Sequence, residues 1–518
     1  MTAGTGDDMV GESPGGPGMV DTLRKINVGF VGCGRIADLH VPGYADNPHA
    51  RLLGICDTSR EVVECRVRQW GVERVYQDFG DMLADPEIDA VEILTPQKLH
   101  EAQSVAALAA GKHVALQKPI STDLASTDRI VAAAKASGKV FKVTENYVFY
   151  PPLVLARRLI AEGAIGDPVS LRIQFISGPE GGWPVPAEAW RWRMQEAREG
   201  RGPSTFDHGH HLWSTAWFLM GEPERVLGWA DSGDGLVDCP SQFLWKYRDG
   251  KRYGSCTFHH GDQLRVPSKY YSNDEWIEVF GSRGIVQVRR CTGDIQDGPP
   301  VRVWDGRRFR DFADVDADWG QGFVGATHDF VAAIRDGKAP MLTGEQARLV
   351  LRFSLALQKA SRVRREVWVD ELDAGWPALH AWQRTRRSRR EGAADLGWLS
   401  RITGGTVRYA GQAVTLTEEL VTRFVPQDPP VPDACIGLVL QGDGLPEQRL
   451  GLIIRDNRAT LVKGEVPAEA ALVVTMAPGV WAAILLKKKR IEIAVLQGKL
   501  RYSGKVEEAL KLRSAFGI

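Results

Sequence analysis

The sequence predicts three domains: an α/β domain with a doubly wound parallel sheet, an α+β domain with a large open antiparallel sheet, and a C-terminal α+β domain. A chain of 518 residues is long enough for about three domains with separate cores. Short β-rich runs alternate with helical patterns at first, and longer runs of alternating polarity follow, which marks a domain boundary. The predicted divisions are a disordered tail over 1–22, domains over 23–145, 146–375 and 403–518, and a linker over 376–402.

Composition excludes several classes of protein. Lys plus Arg and Asp plus Glu both number 65, so no overall field favours nucleic acid. The seven cysteines are scattered without a CxxC pair, which favours a reducing cytoplasm over a disulfide framework. Residues 1–22 lack the basic and apolar regions of a signal peptide, and no run is long and apolar enough to span a bilayer.

In the first domain the predicted strands alternate with predicted helices, which is the pattern of a parallel sheet. The strands are INVGFV, RLLGIC, DAVEIL, HVALQ and VFKVTE, and two of the helices are SREVVECRVRQWG and LASTDRIVAAAKASG.

The second domain begins with a helix, LVLARRLIAEG, and continues in longer strand patterns joined by Gly and Asp turns. Their alternating polarity predicts an antiparallel sheet with one face open to solvent or covered by a partner. The five arginines between 384 and 390 predict a solvated linker, with an anion-binding patch as the alternative. Three more strands and the apolar helix GVWAAILLKKK make up the third domain.

A glycine-rich loop follows the first strand. Gly32, Gly34 and Ala37, with Arg35 and Ile36 between them, form a G-x-G-x-x-A pattern between a strand and a helix, as in dinucleotide-binding loops. Asp57 ends the second strand, where a carboxylate accepts hydrogen bonds from ribose hydroxyls and repels a 2′-phosphate. The pattern therefore predicts NAD rather than NADP, although Arg60 lies nearby and Asp57 has an alternative role as a helix N-cap.

Three residues are candidates for the chemistry of alcohol oxidation. His211 is suited to take the hydroxyl proton, because the pKa of a histidine lies near neutral pH. Lys118 follows a parallel strand at its carboxyl end, where it would stabilise a developing alkoxide, and Asp207 would orient the hydroxyl or the imidazole. Taken singly, a surface lysine and a core histidine are the plainer interpretations.

Residues 25–370 resemble the glucose-fructose oxidoreductase and inositol dehydrogenase (Gfo/Idh/MocA) family. The resemblance lies in VGFVGCGRIADLH, in IDAVEILTPQKLHEAQSVAALAAGKHVALQKPIS, in DHGHHLWSTAWFLMGEP and in THDFVAAIRDGKAPMLTGEQA. It implies a Rossmann domain, an open-faced sheet domain, assembly into a homodimer or homotetramer, and NAD(P)-dependent chemistry at a carbinol carbon. By resemblance, Lys118 matches the active-site lysine and is also a candidate for cofactor binding, and Asp207 and His211 match the acid and the histidine. Thr95, Pro96 and His100 match the segment beside the nicotinamide, and Gln117 stands where the family usually has Glu.

Aromatic and basic residues near Asp207 are candidates for substrate binding, because sugar rings pack on aromatic rings. Trp213 and Trp217 are instead expected in the core, given their helical spacing. The histidines lack a second ligand set at standard spacing, so no metal site is predicted. The substrate-binding candidates are Trp183, Trp192, Arg193 and His210.

The last hundred or so residues resemble the sterol carrier protein type 2 fold in LGLIIRDNRATLVKG, ALVVTMAPGVWAAILLKKK and LQGKLRYSGKVEEALKLRSAFGI. That resemblance implies a bulky hydrophobic ligand or a docking surface.

The predicted function is an NAD-dependent oxidoreductase that transfers a hydride between nicotinamide and a secondary hydroxyl of a sugar, cyclitol or glycoside. Two alternatives are glycoside cleavage by transient oxidation and elimination, and a non-catalytic scaffold that binds NAD and lipid.

Overall fold

The computed structural model describes residues 24–45, 47–232, 237–248, 251–289, 292–373, 406–505 and 507–516, in two compact units, 1–377 and 378–518. The predicted tail over 1–22 and linker over 376–402 lie outside the described residues. No helix within these described ranges is long and apolar enough to cross a membrane.

The first unit begins with a six-stranded parallel sheet in the order β3-β2-β1-β4-β5-β6. Its central strands are buried on both faces, as expected of a sheet covered by helices on each side. All five predicted strands are confirmed. The edge strand β3 was missed because it has only three residues and an exposed valine. The strands are β1 Ile26–Val31, β2 Ala50–Cys56, β3 Arg74–Tyr76, β4 Ala90–Ile93, β5 His113–Gln117 and β6 Phe141–Thr144.

The helices of this domain begin at the caps that the sequence provides. Ser59 and Asp123 accept hydrogen bonds from the first turns of α3 and α6, which supplies partners for free N–H groups. The helix predicted after the glycine loop is divided into two short helices that meet at Val41 and Pro42. The helices are α1 Ala37–His40, α2 Pro42–Ala45, α3 Arg60–Trp70, α4 Phe79–Ala84, α5 His100–Ala109 and α6 Leu124–Ser137.

The second domain contains a nine-stranded sheet in the order β14-β13-β12-β11-β7-β10-β9-β8-β15. The expectation of an antiparallel sheet was wrong at one pair, because β7 and β10 run parallel and make the sheet mixed. Alternating polarity reports only which face is buried, so it cannot distinguish a parallel neighbour from an antiparallel one. The strands are β7 Pro168–Ser177, β8 Pro223–Ala230, β9 Ser241–Tyr247, β10 Tyr253–His260, β11 Asn273–Gly281, β12 Ile285–Val288, β13 Val301–Trp304, β14 Phe309–Phe312 and β15 Val367–Trp368.

Helices pack on one face of the mixed sheet and against the parallel sheet. Trp213 is completely buried among Phe243, Trp245, Phe258 and Phe353, which confirms its expected place in the core. A single π-helical turn, Pro203–His208, precedes α9. The helices are α7 Pro151–Ala161, α8 Ala187–Arg198, α9 Gly209–Met220, α10 Gly320–Asp336 and α11 Gly344–Val363.

The C-terminal unit contains a five-stranded sheet in the order β18-β17-β16-β19-β20, with its own apolar core. The three strands predicted here and the apolar helix are confirmed. Trp481 is buried in this core and donates to the hydroxyl of Thr417. The elements are α12 Ala413–Thr422, β16 Ala434–Gly442, β17 Leu445–Arg455, β18 Arg458–Lys463, β19 Leu472–Met476, α13 Pro478–Leu485, α14 Ile491–Leu496, β20 Leu500–Gly504 and α15 Glu507–Phe516.

Candidate active site

The glycine loop lies at the carboxyl end of β1 and is shaped by its backbone. Gly32 has φ of +85°, and a Cβ there would lie 2.9 Å from Cγ2 of Thr95. Only glycine adopts this conformation and proximity readily. A Cβ on Gly34 would meet no protein atom within 4 Å. Packing therefore explains Gly32, whereas Gly34 leaves open space beside the loop.

Asp57 fixes the loop from the end of β2. Its carboxylate accepts hydrogen bonds from the N–H of Cys33 at 2.7 Å and of Ser59 at 2.8 Å. The N-cap of α3 is Ser59, so the alternative role of Asp57 as that cap was wrong. A carboxylate has about four lone-pair directions, so two remain for a further donor such as a ribose hydroxyl.

Two arginines connect the glycine loop to neighbouring parts of the structure. Arg66 on α3, which was missed from sequence, donates to the carbonyl oxygen of Cys33 at 3.0 Å. The guanidinium of Arg35 lies 5.1 Å from the ring centre of Trp183 in the second domain, a cation–π contact. Ile36 caps α1 without a side-chain hydrogen bond, and Ala37 is completely buried. The loop thus touches the second domain through Arg35.

The segment after β4 holds Thr95, Pro96 and His100. His100 is completely buried, and its ring nitrogens lie 2.9 Å from the carbonyl oxygens of Thr95 and Pro119. Burial lowers its pKa. His100 therefore holds these two loops together, and its direct contact with the cofactor stays a prediction.

Lys118 and Asp207 meet between the two domains. The ammonium of Lys118 donates to the main-chain oxygen of Asp207 at 2.8 Å and to its carboxylate Oδ1 at 3.1 Å. Arg193 donates to Oδ2 at 3.0 Å, and Gln97 to Oδ1 at 3.1 Å. Burial opposes ionisation of Asp207, but the charges of Lys118 and Arg193 hold its pKa well below the usual value. The aspartate is therefore ionised at neutral pH.

The imidazole of His211 is oriented by Glu145 rather than by Asp207. Its Nδ1 lies 2.6 Å from Oε1 of Glu145, a carboxylate completely buried at the end of β6. Burial, then the charges of Lys118 and His208, hold the pKa of His211 well below its usual value. A neutral imidazole that donates through Nδ1 keeps a lone pair on Nε2, which has no hydrogen-bond partner among the described residues.

Tyr147 lies between the Glu145–His211 pair and a second pair of a histidine and a carboxylate. The ring of Tyr147 stacks on His211, with ring centres 4.5 Å apart, and its hydroxyl donates to Glu275 at 2.9 Å. The same carboxylate lies 2.7 Å from Nε2 of His208. Two histidine–carboxylate pairs therefore flank Tyr147, and the ring centres of His208 and His211 are 5.3 Å apart.

The residues predicted to bind substrate differ in their contacts and in their burial. Trp183 packs edge-on against Tyr270 and Tyr271, whereas Trp192 faces the guanidinium of its neighbour Arg193 at 4.4 Å. His210 is completely buried, and neither ring nitrogen has a hydrogen-bond partner within the described part of the chain. Burial lowers the pKa of His210 to about 3. An unpaired buried imidazole is costly, and Lys118, Asp207 and Glu145 are close enough to influence it.

Sequence analysis missed Glu145, Tyr147, Gln97 and Glu275. Glu145 and Tyr147 carried a weak signal, because they follow directly after a predicted parallel strand, where ligands bind in open sheets. Gln97 lies within the quoted TPQKLH segment. Nothing in the sequence pairs Glu275 with His208, since the two lie 67 positions apart on different elements.

The loop fits the pyrophosphate and ribose of a dinucleotide. Open space beside Gly34, the tight turn at Gly32 and the remaining lone pairs of Asp57 are the features such a group requires. Lys118 and His211 lie beyond the ends of β5 and β6, on the side of the sheet where the nicotinamide half would reach.

Comparison with known proteins agrees with this geometry. Residues 26–145 match the oxidoreductase family with an NAD-binding Rossmann fold, and residues 153–287 match the GFO/IDH/MocA C-terminal domain. The chain is 31% identical to levoglucosan dehydrogenase of Pseudarthrobacter phenanthrenivorans over 395 residues, which cover 67% of this chain and 98% of that protein. It is 26% identical to myo-inositol 2-dehydrogenase of Thermotoga maritima over 361 residues, which cover 67% of this chain and 99% of that protein.

Solved structures share the fold of the same region. A levoglucosan dehydrogenase in complex with NADH and levoglucosan superposes with a TM-score of 0.58 at 23% identity, covering 67% of this chain and all of that one. A probable dehydrogenase from Thermotoga maritima gives a TM-score of 0.55 at 23% identity, with the same coverage. The chain belongs to the GFO/IDH/MocA family and is an NAD-binding oxidoreductase.

Proposed function

We propose that this enzyme is an NAD-dependent dehydrogenase that acts on a secondary hydroxyl of a sugar, cyclitol or glycoside. The observation that carries the proposal is the Lys118–Asp207 ion pair beside the Glu145–His211 pair, at the carboxyl ends of adjacent parallel strands. Relatives named for apiose, inositol and levoglucosan support this substrate class.

When bound, NAD supplies a hydride acceptor for the carbinol carbon. In the proposed reaction, Nε2 of His211 takes the hydroxyl proton, because Nδ1 is already committed to Glu145. The Glu145 carboxylate then stabilises the imidazolium. The ammonium of Lys118 stabilises negative charge on the substrate oxygen, and Asp207 with Arg193 keeps that ammonium in place.

Substrate recognition is assigned to the polar and aromatic groups around this centre. Trp183 offers a ring face beside the glycine loop, and His210 offers two unpaired nitrogens. We include Trp192 and Arg193 in the same surface. Thr95 and Pro96 are assigned to the nicotinamide side, where His100 holds their loop.

An absorbance screen at 340 nm, with NAD and with NADP, across sugars, polyols and aryl glycosides tests this function. We expect NADH to accumulate with at least one polyol or sugar, and the rate with NAD to exceed that with NADP because Asp57 repels a 2′-phosphate. Release of aglycone without NADH would instead identify cleavage by transient oxidation. NADH binding without turnover of any compound would identify a scaffold.

For residues 406–516 we propose a sterol-carrier-like domain that binds a bulky hydrophobic ligand. Its five-stranded sheet with an apolar helix supports this proposal. Titration of the full chain with a fluorescent fatty acid tests it, and we expect saturable binding that NADH does not displace. Equal binding by a variant truncated after residue 373 would contradict the assignment to this domain.

We further propose a cytoplasmic homodimer or homotetramer. Its support is an open sheet face with exposed Trp229, Leu244 and Tyr253, and the described cysteines form no disulfide with one another. Light scattering of the full chain tests the assembly, and a monomeric mass would contradict it.

A further inference from the structure

Glu92 is a buried carboxylate that the proposed reaction does not use. It lies in β4 with 1% of its surface exposed, and no lysine or arginine forms an ion pair with it in the described part of the chain. Its two oxygens are instead bonded to the side chains of a histidine, a tyrosine and a threonine. Oε1 lies 2.7 Å from Nδ1 of His40, and Oε2 accepts a hydrogen bond from the hydroxyl of Tyr44 at 2.8 Å. Burying a carboxylate in this way is costly, so its place in the structure requires a reason.

The hydrogen bonds continue from Glu92 toward the active site. The other ring nitrogen of His40, Nε2, lies 3.1 Å from the amide nitrogen of Gln117 at the end of β5. The amide oxygen of Gln117 accepts from the backbone N–H of Lys118 at 2.7 Å. Glu92, His40 and Gln117 thus form one chain that ends at the backbone of the site lysine.

The direction of every bond in this chain is determined. Only the amide oxygen of Gln117 can accept from the N–H of Lys118, so its NH₂ faces His40 and must donate. Nε2 of His40 is then the acceptor, and Nδ1 carries the proton that it donates to Glu92. A carboxylate at position 92 therefore selects one tautomer of His40 and one orientation of the Gln117 amide.

We propose that Glu92 is a positioning residue that acts through His40 and Gln117 to fix the backbone of Lys118 and hold its ammonium against Asp207. The catalytic consequence rests on the proposed function, but the geometry does not. With Gln at position 92, His40 is free to change tautomer and the Gln117 amide to turn over. The NH₂ of Gln117 would then face the N–H of Lys118. Because both groups are hydrogen-bond donors, this contact is unfavourable and would displace the lysine.

The hydrogen-bond chain also predicts that a second substitution, at position 117, compensates for the loss of the Glu92 carboxylate. If Glu92→Gln is combined with Gln117→Glu, the new carboxylate accepts from both Lys118 N–H and Nε2 of His40. The new amide at position 92 donates to Nδ1 and accepts from Tyr44. All four hydrogen bonds are retained: the two made by His40 reverse their direction, and those donated by Lys118 N–H and by Tyr44 do not, so Lys118 keeps its place.

Lysine modification of the full chain tests this without a substrate. Trinitrobenzenesulfonate is the probe, and the rate at Lys118 is read by peptide mass spectrometry. The Lys118 side chain is 12% exposed and ion-paired, so wild-type modification is slow. We expect Glu92→Gln to accelerate it about tenfold and the double swap to return it to within about twofold of wild type. Tyr44→Phe is the matched control, because it removes the other hydrogen bond to Glu92 without touching His40. It leaves the rate unchanged.

Unchanged modification in Glu92→Gln, equal acceleration in Tyr44→Phe, or no recovery in the double swap would each overturn the proposal. Should Glu92→Gln fail to fold, Gln117→Met breaks the same chain at its other end and is expected to accelerate modification equally. In the activity assay, Glu92→Gln is expected to lower kcat about tenfold with the Kd for NADH unchanged. Absence of turnover in every variant would count against the proposed function, whereas the modification rates would still decide this inference.

Discussion

The two halves of the site are built in different ways. The glycine loop is made of backbone, and a loop of six neighbouring residues with one aspartate from the next strand determines its shape. The acid–base centre is made of side chains from distant elements, with Lys118, Glu145 and His211 brought together by the fold. The first half depends on backbone conformation and on the absence of side chains at its two glycines. The second half depends on each carboxylate and its partner.

The largest expected effect comes from removing the base. We expect His211→Ala to lower kcat about a thousandfold, the scale of general base catalysis, while the Kd for NADH changes less than threefold. Steady-state kinetics and NADH fluorescence titration measure the two quantities. A comparable loss of NADH affinity would show that the two halves are not separable.

Glu145→Gln is expected to lower kcat about a hundredfold, because the amide no longer favours the Nδ1–H tautomer of His211 or stabilises its imidazolium. Ser214→Ala is the control, since Ser214 contacts only the other oxygen of Glu145, at 3.3 Å. It should retain most of the activity. Equal kinetics in both variants would contradict the orienting role of Glu145.

The two glycines separate cofactor binding from folding. Gly34→Val places its Cβ where no protein atom lies within 4 Å, so we expect an unchanged melting temperature and a Kd for NADH raised about thirtyfold. Gly32→Ala strains the backbone at φ of +85° and is expected to lower the free energy of unfolding by about 1 to 2 kcal/mol. Thermal denaturation with and without NADH tests both. Loss of stability in Gly34→Val would show that its open space is structural.

The smallest expected effect concerns pH. His113, in the parallel sheet, has its pKa lowered from 6.5 to about 4 by burial and by the charge of Lys139. The unfolded chain takes up this proton below pH 6.5 and the folded chain does not, so stability is complete above pH 6.5 and declines toward pH 4. His113→Gln should reduce the loss of unfolding free energy between pH 7 and pH 5 by about 1 to 2 kcal/mol. The same slope in both proteins would contradict this.

The contrast also explains what could be predicted from the sequence. The loop at Gly32 and Gly34 and the place of Asp57 after β2 were predicted, because both follow from local spacing and from strand position. Lys118, Asp207 and His211 were brought together as the family resemblance implied. The partners Glu145 and Glu275 were not predicted, because a pairing between positions far apart in the sequence leaves no local pattern. The contact of His100 with the loop after β5 was not predicted for the same reason, since Pro119 lies 19 positions away.

The π-helical turn at Pro203–His208 carries one further consequence. The N–H of Asp207 bonds to the carbonyl of Gly202, five residues earlier, so this turn accommodates one more residue than an α-helical turn would. Deleting one of residues 203–206 would narrow this turn to an α-helical one and change the register of Asp207 and α9 together by about 100° relative to the chain before Gly202. The aspartate and the histidine would then both turn away from Lys118 and Glu145. Chain length alone, with no substitution, would therefore separate both site residues from their partners in the first domain.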